Sequence, residues 1–354
     1  MAGEVVGVGI LGWGGSARTI HAPFIPLVPG LELRAVATSR RAVAEAQLPG
    51  VVVYDSVDAM LGDGRLDLVV ITTPHRFHPQ HAITALAAGK DVVVEKPLAA
   101  TTAEAEAVFA RAREVGRRCI VYQNRRWDGD FQTVRRLIAG GTLGEVYHFE
   151  NHWPVYRPAL RGVWREDPAE MGGLLYDIGP HLIDQTIQLF GAPETVYAQV
   201  AARRPGARTI DQFRLTLRYA SGLAAILTAD MLGALPSPRF AVRGTRGAFV
   251  KEGLDPQEAL LRAGQPPVGE AWGADAPAAW GHLRATDAAG LTFDGQIATV
   301  HGNYRAFYEA VRDALRDGGP SPIAPDEVVL QLRIIEAALR SAEGNGVVGV
   351  TSNE

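Results

Sequence analysis

The sequence contains little cysteine, no long apolar run and no excess of basic residues, and each shortage excludes a class of protein. Its 354 residues include one cysteine, Cys119, so an intramolecular disulfide and a cysteine-based zinc site are excluded. Cys119 lies in the apolar run 119–122 and is interpreted as a buried structural thiol. The net charge of −4 argues against nucleic acid as the main partner, which calls for a basic patch. No apolar run approaches the ~20 residues that span a bilayer.

The N-terminal sequence MAGEVVGVGILG also lacks the features of a secretory signal peptide. It carries an acid, passes directly into a strand-like run, and has neither a basic start nor a small-residue cleavage site. We therefore expect a cytoplasmic location. Apolar residues make up 47% of the chain and charged residues 21%, which is typical of a globular protein with a large core. The length is enough for two ordinary domains.

In the first third of the chain, apolar strand-like runs alternate with helical patterns. The predicted strands are 5–11, 31–38, 51–54, 66–74, 91–97 and 118–124, and the predicted helices lie within 15–28, 40–47, 55–63, 79–89 and 102–116. Continuous apolar strands in such alternation predict a parallel sheet covered on both faces. We therefore predict an α/β nucleotide-binding domain over residues 1–125.

The junction after the first predicted strand, 12-GWGGSA-17, matches the dinucleotide-binding pattern G-x-G-x-x-G/A. Gly12 permits a tight turn, Gly14 lets a pyrophosphate approach the backbone, and the small Ala17 allows close helix–strand packing at a helix N-terminus that faces the phosphates. The predicted cofactor contacts in this loop are Gly12, Trp13, Gly14, Ser16 and Ala17. The alternative is a glycine-rich turn without a ligand, because the chain contains 39 glycines.

The end of the second predicted strand, 36-VATSRRA-42, indicates which dinucleotide binds. NAD-binding domains usually place an acid there to bind the ribose hydroxyl, but this sequence has none before Glu45. Ser39 can donate to a 2′-phosphate, and Arg40 or Arg41 can form a charge-assisted pair with it. We predict a preference for NADP(H), with NAD(H) possible. The alternative is that both arginines are solvated residues at the start of a helix.

Lys96 stands between the apolar run Val92–Val94 and Pro97, where a strand must end. A charge there is costly unless a neighbouring group uses it, so Lys96 is interpreted as functional. The run 75-HRFHPQH-81 resembles metal spacing, but no nearby carboxylate or thiolate joins its histidines, and we predict no metal. Ligands of open α/β sheets bind past the carboxyl ends of the strands, so His75 or His78 is expected near the cofactor.

Beyond residue 125 the pattern changes to period two, with short turns between successive strands. Predicted strands are 145–155, 195–205, 211–220, 223–232 and 239–252, a long loop covers 263–290, and helices cover 128–144, 303–318 and 325–343. This pattern predicts an antiparallel or mixed sheet. We assign residues 126–354 to a second domain, with C-terminal helices that could pack back on the first. Its exposed sheet face is a candidate oligomer surface.

The segment 172-GGLLYDIGPHLIDQTIQLFG-191 carries the second candidate cluster. Pro180 suits the start of a helix, which places His181 in the first turn and Asp177 just before it. The positive end of the helix dipole disfavours imidazolium, so His181 could accept a proton, and Asp177 could orient the ring. Taken singly, Asp177 could be a turn residue and His181 a satisfied core histidine.

Together these motifs resemble the glucose–fructose oxidoreductase, inositol dehydrogenase and rhizopine-catabolism (Gfo/Idh/MocA) family. The resemblance rests on Gly12–Ala17, on 72–99 with Glu95-Lys96-Pro97, and on 172–184 with Asp177-x-x-x-His181, and it covers nearly the whole chain. The stretches 121–131, 161–168 and 302–315 resemble its NADP-dependent scyllo-inositol dehydrogenase-like branch. The sequence departs from the family pattern modestly at two positions: Ala17 fills the third glycine position, and His75 stands where an asparagine is common.

The resemblance implies a Rossmann domain followed by an α/β domain with a large open, mostly antiparallel sheet, and a homodimer or homotetramer built on that sheet. It implies reversible oxidation of a CH–OH group of a cyclic polyol or sugar, with Lys96, Asp177 and His181 as catalytic residues. Further cofactor contacts would be Thr73, Pro74, His75, His78, Glu95, Lys96, Asn124, Trp164 and Arg165, and the substrate would contact Lys96, Arg125, Tyr156, Asp177 and His181. Two alternatives are cofactor-assisted glycoside cleavage and a non-catalytic nucleotide sensor or scaffold.

Overall fold

The computed structural model describes residues 5–350, and they form two compact units. The first comprises the described residues up to Asn124 together with Gln257–Trp272 and Asn303–Val329. The second comprises Arg125–Pro256, Gly273–Gly302 and the described residues from Leu330 onward. The domain boundary after residue 125 stays a prediction.

The first unit contains a six-stranded parallel sheet in the order β3-β2-β1-β4-β5-β6. Its strands are β1 (Val6–Leu11), β2 (Leu31–Ala37), β3 (Val52–Tyr54), β4 (Leu68–Ile71), β5 (Asp91–Val94) and β6 (Cys119–Val121). This order reverses direction at β1 and β4, and ligands of such sheets bind at that reversal, beyond the carboxyl ends of the strands. The predicted parallel sheet is confirmed.

The second unit contains a nine-stranded mixed sheet in the order β14-β13-β12-β11-β7-β10-β9-β8-β15. Its strands are β7 (Val146–Pro154), β8 (Thr195–Ala201), β9 (Gln212–Arg218), β10 (Ala224–Asp230), β11 (Phe240–Gly244), β12 (Gly247–Lys251), β13 (Gly281–Thr286), β14 (Thr292–Ile297) and β15 (Val348–Gly349). β7 and β10 are parallel, and the other neighbouring pairs are antiparallel. The predicted large, mostly antiparallel sheet is confirmed.

Ten α-helices lie within residues 5–350. They are α1 (Arg41–Gln47), α2 (Val57–Leu61), α3 (His78–Ala87), α4 (Thr102–Glu114), α5 (Gly129–Ala139), α6 (Leu174–Asp177), α7 (Gly179–Phe190), α8 (Gln257–Arg262), α9 (Arg305–Asp317) and α10 (Pro325–Gly344). α4 starts with a capping box between Thr101 and Glu104, which satisfies two backbone donors at once. No helix within residues 5–350 has the length and apolar character needed to cross a membrane.

Three sequence-based assignments differ from the structure. The predicted loop 263–290 contains β13, whose Leu283 and Ala285 alternate with exposed residues, a pattern hidden by its Ala- and Gly-rich surroundings. The predicted strand 239–252 is the hairpin of β11 and β12. The helix expected within 15–28 is a five-residue π-helical turn, Ala17–His21, followed by a 3-10 turn. Pro23 follows that turn and lacks the N–H that a continuing helix needs.

Candidate functional site

The glycine loop after β1 has the backbone geometry that a dinucleotide requires. Gly12 has a φ of +96°, and a Cβ there would lie 3.0 Å from Oγ1 of Thr72, so only glycine suits the position. Gly14 and Gly15 face open space, because a Cβ at either position would have nothing within 4 Å. Ala17 is fully buried, as close helix–strand packing requires. The loop therefore fits a bound pyrophosphate.

Trp13 of the loop is buried rather than exposed to a ligand. Its indole N–H donates to Oε1 of Gln47 at 2.9 Å, which ties the loop to the end of α1. The hydroxyl of Ser16 is hydrogen-bonded to Oε1 of Glu95, the residue that follows β5. Two side-chain hydrogen bonds thus connect the loop to α1 and to the segment that follows β5.

The two arginines after β2 have different surroundings. Arg41 forms a bidentate pair with Asp55, at 2.9 and 2.7 Å, and a third bond of 2.9 Å to Glu45. The hydrogen bonds from Arg41 lower the pKa of the Asp55 carboxyl. Ser39 and Arg40 are both exposed, and the backbone N–H of Arg40 donates to Oγ1 of Thr38 at 3.0 Å. Arg40 is therefore the better placed of the two to meet a ligand.

Among the histidines after β4, His78 is hydrogen-bonded to backbone carbonyl groups. His78 is fully buried, with Nδ1 2.7 Å from the carbonyl oxygen of Pro97 and Nε2 2.8 Å from that of Thr73. Burial lowers the pKa of His78. The ring of His75 packs edge-on against His78 at 5.6 Å. His78 thereby ties the Thr73-Pro74 turn to the peptide that follows Lys96.

Lys96 and Glu95 follow β5 at the same sheet edge as the glycine loop. Both are half-buried, and the Lys96–Pro97 peptide bond is cis. Oε2 of Glu95 lies 3.3 Å from the backbone nitrogen of Lys96. Burial would raise the pKa of Glu95, but the contacts with His21, Lys96 and Ser16 together outweigh burial and hold it at about 2. Glu95 is therefore a carboxylate.

Sequence reasoning missed two residues that contact this carboxylate system, His21 and Tyr308. His21 is fully buried, with Nε2 3.0 Å from Oε1 of Glu95 and Nδ1 2.5 Å from Oη of Tyr308 on α9. The ring of Tyr122 packs on His21 at 4.3 Å. The signal in the sequence is one histidine inside the apolar stretch 20-IHAPFI-25, which could have been questioned as a buried polar group.

In the second unit, Asp177 and His181 lie on consecutive helices. Asp177 is the last residue of α6, and Pro180 and His181 lie in the first turn of α7. His181 is buried, at 5% exposure, while the Asp177 side chain is a quarter exposed and lies 3.7 Å from Nε of Arg165. The predicted start of α7 near Pro180 is confirmed, with Pro180 one position later than predicted.

A tryptophan that sequence reasoning missed lies against His181. The indole of Trp153 and the imidazole of His181 are stacked, with centroids 6.3 Å apart. The guanidinium carbons of Arg125 and Arg239 lie 4.4 and 5.0 Å from the centroid of that indole. Arg239 is 1% exposed and forms an ion pair with Asp130 at 3.4 Å. His181, the candidate base, is therefore stacked on an aromatic ring that two arginine guanidinium groups also contact.

A buried ion pair fixes α7 itself. Nε and Nη2 of Arg126 donate to the two carboxylate oxygens of Asp184 at 2.8 and 2.6 Å. The next residue, Gln185, donates from Nε2 to the backbone oxygen of Arg125 at 3.0 Å. Asp184 lies three residues after His181, so these bonds hold the turn that carries the histidine.

The remaining predicted contacts differ in exposure. Tyr156 is 62% exposed and forms an isolated bridge with Leu232, while Asn124 is buried. The guanidinium of Arg165 lies 4.3 Å from the ring of Trp164. The first unit thus gathers Gly12, Trp13, Gly14, Ser16, Ala17, Ser39, Arg40, Thr73, Pro74, His75, His78, Glu95, Lys96 and Asn124, and the second gathers Arg125, Tyr156, Trp164, Arg165, Asp177 and His181. The convergence of Lys96 with Asp177 and His181 stays a prediction.

Comparison with known proteins identifies the family. Residues 6–123 match the model of the oxidoreductase family with an NAD-binding Rossmann fold, and residues 135–350 match the model of its C-terminal alpha/beta domain. The chain belongs to the Gfo/Idh/MocA oxidoreductase family. The resemblance seen in the sequence is therefore confirmed.

Relatives of this Gfo/Idh/MocA protein match it over almost its full length. It is 37% identical over 343 residues to the scyllo-inositol 2-dehydrogenase (NADP(+)) IolW of Bacillus subtilis, covering 96% of this chain and 94% of IolW. It is 40% identical over 342 residues to the uncharacterized oxidoreductase YdgJ of Escherichia coli, covering 95% and 96%. The structure of yvaA from Bacillus subtilis superimposes with a TM-score of 0.94 at 36% identity, covering 98% of each chain. This Gfo/Idh/MocA member is a dehydrogenase with an NAD(P)-binding Rossmann domain, and it acts on a small molecule.

Proposed function

We propose that this dehydrogenase reversibly oxidises a CH–OH group of an inositol-like cyclic polyol or a sugar to a ketone, with NADP(H) as the preferred cofactor. The observation that carries the proposal is the 37% identity to IolW over 96% of the chain. It is supported by two groups of residues. The first unit contains a glycine loop that fits a dinucleotide, together with Lys96. The second unit contains His181 and, four residues before it in the sequence, Asp177.

The cofactor preference is supported by the end of β2. Arg40 and Ser39 are exposed there, while Arg41 is engaged by Asp55 and Glu45. A guanidinium and a hydroxyl can both donate to a 2′-phosphate, and a bond between ionised groups is roughly twice as strong as a neutral one. The phosphate is present in NADP(H) and absent from NAD(H), so these donors favour NADP(H).

In the proposed reaction, a bound nicotinamide supplies the hydride acceptor, and the side chains handle the proton and the geometry. His181 takes the proton of the reacting hydroxyl. Lys96 donates a hydrogen bond to that oxygen and stabilises the negative charge that develops on it. Asp177 accepts a hydrogen bond from a neighbouring hydroxyl, and Arg125 and Tyr156 contact the rest of the substrate. Trp164 and Arg165 contact the nicotinamide end of the cofactor.

The proposed assembly is a homodimer or homotetramer through the nine-stranded sheet. Phe149, Asn151 and Trp153 of β7 are buried on one face, while His148, Glu150 and His152 are half-buried on the other. A sheet with one partly open face of this kind offers a surface for a second copy. The cytoplasmic location stays a prediction.

The proposal is tested by following absorbance at 340 nm with a panel of inositols, aldoses and short linear polyols, using NADP and NAD in parallel. We expect reduction of NADP with at least one inositol, and a higher kcat/KM with NADP than with NAD. Activity with NAD alone would contradict the cofactor preference. Turnover of linear alcohols with none of the cyclic polyols or sugars would contradict the substrate class.

A further inference from the structure

A hydrogen-bonded chain of four side chains crosses the core of the first unit from α9 to the glycine loop. Oη of Tyr308 lies 2.5 Å from Nδ1 of His21, and Nε2 of His21 lies 3.0 Å from Oε1 of Glu95. The same oxygen is hydrogen-bonded to the hydroxyl of Ser16. The other carboxylate oxygen lies 3.3 Å from the backbone nitrogen of Lys96. The chain therefore joins the loop and the strand end on which the proposed function depends.

The direction of the hydrogen bonds to Glu95 follows from which groups can donate. A carboxylate only accepts, so Nε2 of His21 and the hydroxyl of Ser16 both donate to Glu95. Burial raises the pKa of Tyr308 well above its usual value, so the phenol keeps its proton in its hydrogen bond with Nδ1 of His21.

This placement changes the role expected of Ser16. A hydroxyl has one proton, and in this structure it is directed to Glu95. Ser16 therefore supports the loop through its side chain, and any bond that it donates to a phosphate would come from its backbone N–H.

We infer that Tyr308, His21 and Glu95 form a buried positioning triad that holds the Ser16 end of the glycine loop and the backbone at Lys96 in fixed relation. His21 and Tyr308 act through Glu95 and need no contact with substrate or cofactor. The inference takes its functional meaning from the proposed function, but its first test uses the protein without cofactor.

The charge of Glu95 depends on the donation from His21. Burial raises the pKa of Glu95, while the hydrogen bond from His21 is the largest contact that lowers it and the Coulombic attraction of His21 is the next largest. Titratable side chains that interact with Glu95 or with its partners are His21, Lys96, His78, Tyr122 and Tyr308. Without the donor from His21, burial is expected to prevail, so that the carboxyl takes up a proton at higher pH. A protonated carboxyl cannot accept all of these bonds together.

The first test is the titration of Glu95 in cofactor-free protein that carries glutamate labelled with ¹³C at the carboxyl carbon. The Glu95 signal is identified by its loss in Glu95→Gln. In the wild type the Glu95 carboxyl should stay ionised from neutral pH down to about pH 4.3, the ordinary pKa of glutamate. In His21→Leu it should titrate above that value, whereas His21→Gln, which keeps a donor but not the Coulombic attraction of His21, should titrate at a lower pH than His21→Leu. Identical titration in His21→Leu and the wild type would overturn the triad.

Tyr308→Phe provides a second variant that keeps the ring volume and removes only the hydroxyl. It should raise the midpoint of the Glu95 titration less than His21→Leu does, because His21 can still donate. Thermal unfolding of each variant shows whether it is folded. If His21→Leu does not fold, a Glu95 titration in Tyr308→Phe that matches the wild type would itself overturn the triad.

The second test is NADPH binding, measured by cofactor fluorescence without substrate. His21→Leu should weaken binding by about tenfold, the equivalent of one lost hydrogen bond to a charged group, and more strongly at pH 6 than at pH 8. His21→Gln should recover most of this loss, and equal binding by His21→Leu and wild type would overturn the positioning role. Absence of NADPH binding to the wild type would contradict the proposed function and leave the carboxyl titration to decide the triad.

Discussion

The imidazole of His181 lies nearly parallel to the indole of Trp153, with 21° between the ring planes and 6.3 Å between their centroids. The indole is itself buried and is contacted by the guanidinium groups of Arg125 and Arg239. An indole plane in this position limits the orientations that His181 can adopt. We therefore propose Trp153 as a positioning residue for the proposed base.

Replacing Trp153 should affect turnover more than substrate binding. Trp153→Leu removes the flat surface under His181, and a displaced base is expected to reduce kcat by about 10- to 100-fold with a smaller change in KM. Trp153→Phe keeps an aromatic ring and should retain most of the rate. Steady-state kinetics of both variants checks this, and equal kcat values for the Leu variant and the wild type would contradict it.

Removing the proposed proton-handling groups should abolish most activity without unfolding the protein. His181→Asn and Lys96→Ala should each lower kcat by about 100- to 10,000-fold, the usual contribution of a positioned acid or base. His301→Asn, at an exposed histidine outside the sheet, is the matched control and should keep its rate. Unchanged turnover in either active-site variant, in protein with the wild-type melting temperature, would refute that residue's role.

The two arginines after β2 should differ in their effect on cofactor binding. Arg40→Ala should weaken NADP(H) binding by about 10- to 100-fold, the equivalent of a lost hydrogen bond between charged groups, and leave NAD(H) binding unchanged. Arg41→Ala should have a smaller effect, because Arg41 is already paired with Asp55 and Glu45. Fluorescence titration with both cofactors measures this, and the reverse ranking of the two variants would show that Arg41 binds the phosphate.

The Arg126–Asp184 pair should matter for stability. Asp184→Ala leaves the buried guanidinium of Arg126 without this partner, and removing one member of a buried pair costs about 3–5 kcal/mol. Asp294→Ala is the control in the same unit, because Asp294 forms its ion pairs with His282 and Arg284 at the surface. Exposed pairs contribute at most about 1 kcal/mol. Urea unfolding should therefore show a larger loss for Asp184→Ala, and equal losses would contradict this assignment.

Cys119 should be unreactive in the folded protein. It is buried, and burial raises the pKa of its thiol to about 12, so at pH 8 only about one thiol in 10,000 is the reactive thiolate. An aromatic disulfide reagent should label it slowly at pH 8 and rapidly in denaturant. Equally fast labelling in both states would show that the thiol is accessible.

The sequence predicted the first sheet well because its strands are buried on both faces and form unbroken apolar runs. β4 and β5, for example, consist of apolar residues apart from Asp91. The end of the second sheet was missed because every residue of β14 is exposed or half-buried, which leaves no buried apolar face for a periodicity argument to detect.

Within the candidate site, residues in short motifs could be predicted, while residues that act through tertiary contacts could not. Lys96 and Glu95 stand in a recognisable sequence context, whereas Tyr308 reaches His21 across 287 positions of the chain. Trp153 looked like any other buried residue of an alternating strand. Its contact with His181 depends on how α7 packs on β7, which local sequence does not determine.

The most direct test of the proposed function follows hydrogen from substrate to cofactor. An inositol deuterated at its carbinol carbons is incubated with the enzyme and NADP, and the reduced cofactor is analysed by mass spectrometry. The proposed hydride transfer predicts one deuterium in each NADPH formed and a slower rate than with unlabelled inositol. Recovery of unlabelled NADPH, or conversion of a glycoside with no net reduction of NADP, would contradict it.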